Sequence, residues 1–242
     1  MKKIYFLSDA HLGSLLIPNH KAHEQRLLRF LDKIKHDAAA VYLLGDMFDF
    51  WFEYRNVVPK GFVRFQGKLA ELADRGIEVH FFTGNHDIWT FGYLEQEIGL
   101  QVHSKPEELE ILGKRFFLAH GDNLDGRNLV NNLFHNRFLQ QCFTLIPSRI
   151  GVKLGYWWSK KSRLNDQGKD FSYKGENCEP LVLFAKNYLQ KHPTVDYFVF
   201  GHRHLMLDLQ LVNRSRCLII GDWFEHFSCA VFDGKDMWLE NC

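Results

Sequence analysis

The chain has 242 residues, 46% of them hydrophobic and 24% charged, with a net charge of +1. That composition excludes a disordered or fibrous chain and leaves ample length for a buried core. It also gives no global basic field of the kind that binds nucleic acid, so any basic patch must be local.

Five cysteines without a CxxC pair argue against a disulfide framework or a structural zinc site and fit a reducing compartment, whereas 13 histidines point to metal or proton chemistry. The run "IYFL" is interrupted too early by Asp9 and His11 for a signal peptide. No apolar stretch approaches the roughly 20 residues needed to span a bilayer. We expect a cytosolic or peripheral protein.

In chain order, "KIYFLS" reads as a buried strand and "HEQRLLRFLDKIKH" as an amphipathic helix. "AVYLLGD" is a second strand, "FVRFQGKLAELADRG" a second helix, and "IEVHFFTGNHD" a third strand. This alternation implies a parallel sheet faced by helices, with ligands gathered at the carboxyl ends of its strands. "ELEILGKRFFLAHGD" reads as a hairpin. From 126 to 175 the alternation is lost: "LVNNLFHNRFLQQCFTLI" is helical, Pro147 breaks it, and "SRIGVKLGYWWSKKSRLNDQGKDFSYK" mixes aromatic, basic and glycine residues. We read 126–175 as a helical insertion or lid in a core of 1–125 and 176–242. The regular pattern resumes with the helix "NCEPLVLFAKNYLQKH", the strand "VDYFVF" and the short strands "LDLQLV", "RCLIIGD", "HFSCAVFD" and "DMWLEN".

Each of five predicted strands ends in the same kind of cluster: Asp9 and His11, Asp46, Asn85 and His86, His120, then His202 and His204. In an extended chain residues i and i+2 point to one side, so Asp9 and His11 can aim at one point. Imidazoles mixed with carboxylate and amide oxygens favour first-row divalent metals. Two such ions, bridged by an anion such as Asp46, generate a nucleophile at neutral pH and neutralise charge on a phosphoryl group. Taken singly, Asp9 reads as a turn residue and His120 as a core histidine. Asp49 fits either a loop carboxylate or a partner of a ligand histidine. Asp87 and Asp122 read as turn-stabilising residues or as groups that support the ligand residues, and His20, His23, His36, His80, His103, His135, His192 and His226 as surface or packing residues.

The ordered blocks DxH, GDxxD, GNHD, HGD and GHxH, spanning Asp9 to His204, resemble the calcineurin-like metallophosphoesterase superfamily. The resemblance implies an α/β fold, a four-layer α/β/β/α metallophosphoesterase sandwich, here with a helical lid insertion. It implies one metal on Asp9, His11, Asp46 and His204 and another on Asp46, Asn85, His120 and His202. His86 would lie near the leaving group, making His86, Asp46 and Asn85 the catalytic set.

The segment after His120 is similar to the insertion of the bacterial UDP-2,3-diacylglucosamine diphosphatase family of lipid A biosynthesis. That resemblance implies two divalent ions, manganese, and an acylated sugar-nucleotide substrate split at its pyrophosphate into UMP and lipid X at a membrane surface. Substrate contacts would come from Asn85, His86, Arg149, Lys153, Trp157, Trp158, Ser162, Asn165, Lys169 and His202. Apolar residues of the insertion, among them Leu133, Phe134, Phe138, Leu139, Phe143, Leu145, Tyr156, Trp157 and Trp158, are expected to line an acyl slot or, for about half of them, to pack the helices on the sheet as an ordinary helix stripe does. Where that family carries Arg in the GNxD block, this chain carries His86. A phosphoesterase for soluble nucleotides is the alternative reading. The oligomeric state is not encoded in any of these features.

Overall fold

A computed structural model describes residues 2–122, 124, 136–166 and 172–242; within these, the side chains of residues 137, 162, 163, 165 and 166 lie outside the description. The first sheet has the order β11-β10-β1-β2-β3-β4. Its strands are β1 (Lys3–Leu7), β2 (Ala38–Leu44), β3 (Glu78–Phe82), β4 (Gln101–His103), β10 (Ser228–Phe232) and β11 (Met237–Asn241). Strands β1 to β4 run parallel, and β10 and β11 extend the sheet antiparallel.

The second sheet, in the order β5-β6-β7-β9-β8, contains β5 (Glu107–Ile111), β6 (Lys114–Ala119), β7 (Tyr197–Phe200), β8 (Met206–Gln210) and β9 (Arg216–Ile220). Here β6, β7 and β9 are parallel, with antiparallel β5 and β8 at the edges. The parallel sheet read from the sequence is therefore only half of the scaffold. The late short strands split between the two sheets.

Period-two alternation along the strands builds the layers. Tyr5, Leu7, Val41, Leu43, Val79 and Phe81 face α1 (His20–Ile34) and α2 (Val63–Asp74) in one core cluster. The intervening residues Ile4, Phe6, Ala40, Tyr42, Leu44 and Phe82 meet Phe116, Leu118, Val199, Leu218 and Ile220 of the second sheet in another. The outer face of that second sheet, with Phe117, Phe198, Phe200 and Ile219, packs on Leu181, Val182, Ala185 and Leu189 of a helix at Pro180–Lys191. The result is α/β/β/α. Asn19 caps α1 by accepting the Ala22 N–H at 3.0 Å, which starts the helix three residues before the periodicity predicts.

Between β3 and β4 a short α3 (Tyr93–Ile98) intervenes. The long segment after β6 contains α4 (Arg137–Thr144) and α5 (Ser148–Asp166), and α6 is the helix at Pro180–Lys191. Helix α5 runs unbroken for 19 residues through Gly151 and Gly155. Of the expected insertion, residues 126–135 and 167–171 lie outside the described residues.

Candidate active site

The carboxyl ends of β1, β2, β3, β6 and β7 converge, so Asp9, His11, Asp46, Asn85, His86, His120, His202 and His204 share one site. Five of these residues adopt left-handed backbone conformations: Asp9 at φ 55°, His11 at 43°, Asp46 at 55°, His202 at 65° and His204 at 49°. Such conformations cost of order 1–3 kcal/mol each for residues with a side chain and persist only where the surroundings over-determine them. Backbone ties do so here. Asp9 N–H donates to the Gly45 carbonyl at 3.1 Å, and His11 N–H to the Asp46 carbonyl at 2.9 Å. The Asp9 carboxylate in turn accepts the His202 N–H at 2.9 Å and the Ser8 hydroxyl.

Acceptor and imidazole atoms face one another across the cluster. His204 Nε2 lies 3.1 Å from Asp9 Oδ1. His11 Nε2 lies 3.6 Å from Asp9 Oδ1 and 3.7 Å from Asp46 Oδ2, and His120 Nε2 lies 3.3 Å from Asp46 Oδ2. Burial opposes charge on Asp9 and Asp46, yet the facing histidines outweigh it and hold both carboxyls well below the usual carboxylate range. Burial would likewise depress His120, but Asp46 and Asp9 raise it well above its ordinary value. His202, half-buried beside His120, is pushed down to about 4, by desolvation first and the His120 charge second.

The tautomers are set by carbonyls, which only accept. His120 Nδ1–H donates to the Leu44 carbonyl at 2.8 Å, and His86 Nδ1–H to the Asp49 carbonyl at 2.9 Å. Both rings therefore turn Nε2 toward the site. His120 Nε2 and Asn85 Oδ1 are buried and make no hydrogen bond among the described residues, a costly arrangement unless a cation completes it. Ligand atoms of Asp9, His11 and His204, and of Asp9, Asp46 and His120, lie within 4.8 Å of one another. The donor set fits divalent first-row metals.

A second ring of residues holds these groups in place. Asp87 is fully buried and accepts the N–H groups of Asp46, Met47, Phe48 and Gly84 at 2.8–3.2 Å. Burial first and the Asp46 charge second push its pKa up to about 7. His23 Nε2–H donates to the Ala10 carbonyl at 2.6 Å between Asp9 and His11. Phe224 stacks edge-on against the rings of His204 and His11. Gly84 is required because a Cβ there would enter the Asp46 carboxylate.

Beside Asn85 and His86 opens a cavity of about 190 Å³, walled by Phe50, Ile88, Trp89, Phe143, Leu154, Trp157 and Trp158, with Asp49 and Ser159 at its polar end. Three small residues of α5 at helical spacing, Gly151, Gly155 and Ser159, allow this wall to close. A Cβ at Gly155 would run into the Phe50 ring and one at Gly151 into the Tyr54 hydroxyl. Ser159 reaches Asp49.

A calcineurin-like phosphoesterase family model matches residues 2–206. The chain belongs to that family. This calcineurin-like phosphoesterase is 43% identical to a UDP-2,3-diacylglucosamine hydrolase of Porphyromonas gingivalis, over 99% of this chain and 97% of that protein. It is 25% and 27% identical to proteins of the same name from Vibrio atlanticus and Actinobacillus succinogenes, over 99% and 98% of this chain and 97% and 98% of theirs. The fold is similar to that of a dimetal phosphatase from Danio rerio, with a TM-score of 0.51 and 14% identity over 99% of this chain and 95% of that one. The family makes it a metal-dependent hydrolase.

Within this phosphoesterase the expected substrate contacts divide. Trp157 and Trp158 line the apolar cavity and Asn85 and His86 its mouth, whereas Arg149 and Lys153 are exposed on α5 and form no part of that wall. The side chains of Ser162 and Asn165, and all of Lys169, lie outside the described residues, as do Leu133 and Phe134. Phe138, Leu139 and Leu145, expected in the slot, are exposed instead. Their places are taken by Phe50, Ile88, Trp89 and Leu154. Sequence reading gave Gly151 and Gly155 no packing role. Their spacing with Ser159 at i, i+4 and i+8 was the available signal for a docked helix face.

Proposed function

We propose that the protein hydrolyses the pyrophosphate of UDP-2,3-diacylglucosamine, giving UMP and lipid X. The observation that carries this reading is the aromatic cavity that opens directly at Asn85 and His86, beside the carboxylate and imidazole cluster. A di-acylated sugar needs such an apolar wall to hold its chains while the polar end meets the cluster. The full-length similarity to hydrolases of that name supports the same substrate class.

In this reading Asp9, His11, Asp46 and His204 would hold one divalent ion, and Asp46, Asn85, His120 and His202 a second, with manganese the ion we infer. Such ions supply Lewis-acid polarisation and lower the pKa of water. The chain's own groups do the rest. Asp46 and His120 fix the charge balance of the buried site. Asn85 orients a phosphoryl oxygen through its amide. His86 is locked by the Asp49 carbonyl so that Nε2 can hand a proton to the departing phosphate oxygen. Trp157, Trp158 and Phe143 hold the acyl chains and exclude water, which spends remote binding energy on positioning the pyrophosphate.

We further infer that α4 and α5 form a lid belonging to an insertion spanning 126–175, and that it meets a membrane surface. Phe138, Leu145, Ile150, Trp157 and Trp158 are exposed there. Lys153, Lys160 and Lys161 are exposed on the same helix, with Lys161 Nζ 5.2 Å from the Trp157 ring centre. No helix among the described residues is long and apolar enough to cross a membrane.

The test is direct. Purified protein with manganese should convert UDP-2,3-diacylglucosamine to UMP and lipid X, read by mass spectrometry, and chelation should abolish the conversion. Manganese-loaded protein that cleaves soluble nucleotides and ignores the acylated substrate would redirect the reading to a nucleotide phosphoesterase.

A further inference from the structure

A second, larger cavity lies on the other side of the β3 loop from the aromatic one. It encloses about 800 Å³ and reaches the cluster at Thr83 and His120, while the aromatic cavity reaches it at Asn85 and His86. Ile88 contributes to both walls and so partitions them. The two compartments differ in chemistry. The aromatic one is built almost wholly of apolar rings and methyl groups. The larger one presents Glu95, Ser104, Lys105, Gln140 and Gln141.

Helix α4 serves both sides: Phe143 faces the aromatic cavity, and Gln140 and Gln141 line the polar one. Lys105 is exposed and makes no ion pair among the described residues. Among the described residues, this polar compartment meets the cluster at His120, on the far side of Ile88 from the aromatic cavity, and so offers a place for the remaining end of a molecule whose pyrophosphate lies over Asp46 and His120.

We propose that the polar cavity binds the nucleoside end of the substrate, with the Gln141 carboxamide and the Lys105 ammonium as recognition groups. This rests on the reading that the substrate is an acylated sugar nucleotide. A pyrimidine presents an N–H between two carbonyls, and a carboxamide offers an acceptor and a donor side by side to match it. The Glu95 carboxylate can accept from ribose hydroxyls. Lys105 supplies charge for a carbonyl or phosphate oxygen. The volume is in the range of small-molecule sites, roughly 300–1,000 Å³.

The experiment titrates UMP and, separately, lipid X into the manganese-loaded full chain by calorimetry, for wild type, Lys105→Ala, Gln141→Ala and Lys105→Arg. Both alanine variants remove exposed side chains, so folding is retained. The proposal predicts UMP affinity about tenfold weaker in each alanine variant, recovery in Lys105→Arg, and lipid X affinity within about twofold of wild type. Unchanged UMP affinity in both alanine variants, or equal weakening of both ligands, overturns it. Wild-type cleavage of UDP-2,3-diacylglucosamine is measured alongside. Cleavage with UMP binding untouched by the variants overturns the nucleoside site alone. UMP binding that depends on Lys105 and Gln141 without cleavage of the acylated substrate upholds the nucleoside site and overturns the acyl reading.

Discussion

Ser159 Oγ donates a 2.5 Å hydrogen bond to Asp49 Oδ2, and the other oxygen of that carboxylate stands 3.6 Å from His11 Nδ1. Helix α5, remote in sequence, is thereby tied to an imidazole of the site through one buried carboxylate. Partners that orient a ligand histidine typically contribute 10–100-fold to metal affinity. Asp49→Asn should therefore weaken manganese binding by about 10–100-fold, and Ser159→Ala by a smaller factor. Metal titration by calorimetry reads both. Wild-type affinity in both variants would detach α5 from the site.

Close approach of α5 to the 49–54 loop makes glycine obligatory at 155. Gly155→Ala places a methyl group inside the Phe50 ring, an overpacking that costs about 1–3 kcal/mol. Gly67 in α2 has open space around a would-be Cβ. Gly67→Ala should stabilise by about 0.5–1 kcal/mol. Thermal unfolding of the two variants should shift in opposite directions, and a shift of the same sign would contradict this packing.

Much of this site was readable because each ligand-type residue follows a strand. A run such as "AVYLLGD" announces both the strand and the turn that carries Asp46. The division of the strands between two sheets was harder to read, because Ile4, Phe6 and Leu44 face another sheet while Tyr5 and Leu43 face helices. With both faces buried, the alternation that would tell them apart disappears. The wall of the aromatic cavity was legible only in part. Phe50, Ile88 and Trp89 sit in core loops whose sequence carries no sign that α5 will pack across them. Phe138 and Leu145 look like core residues by periodicity yet are exposed.

Removing metal should loosen the site measurably. Without a cation, Asn85 Oδ1 and His120 Nε2 stay buried without hydrogen-bond partners among the described residues. Ligand binding to the folded state at 100 times its dissociation constant adds about 2.7 kcal/mol of stability. Manganese should therefore raise the melting temperature of chelator-treated protein, with two equivalents bound per chain by elemental analysis. Asp46→Asn should blunt that rise. A chain that retains one equivalent or none after loading would contradict a paired site.

His86 is oriented through Nδ1 and so is expected to work at Nε2. His86→Ala should lower turnover by about 10²–10⁴-fold, the span of general acid–base catalysis, with both metals still bound. Loss of a metal in that variant would make His86 a ligand instead. His86→Arg tests whether a fixed cation can serve the same oxygen, and improved turnover would mark the position as one that tunes rate.

Selection of an acylated sugar nucleotide by the apolar wall beside the cluster can be read in a single comparison. The measurement is kcat/KM for UDP-2,3-diacylglucosamine and for a small chromogenic phosphodiester, in wild type and in the Trp157→Ala/Trp158→Ala double variant. Wild type should strongly prefer the acylated substrate, and the double variant should lose about tenfold or more on it while the small diester changes far less, because only the acylated substrate draws binding energy from those rings. Equal losses on both substrates, or a wild type with no preference, would contradict it.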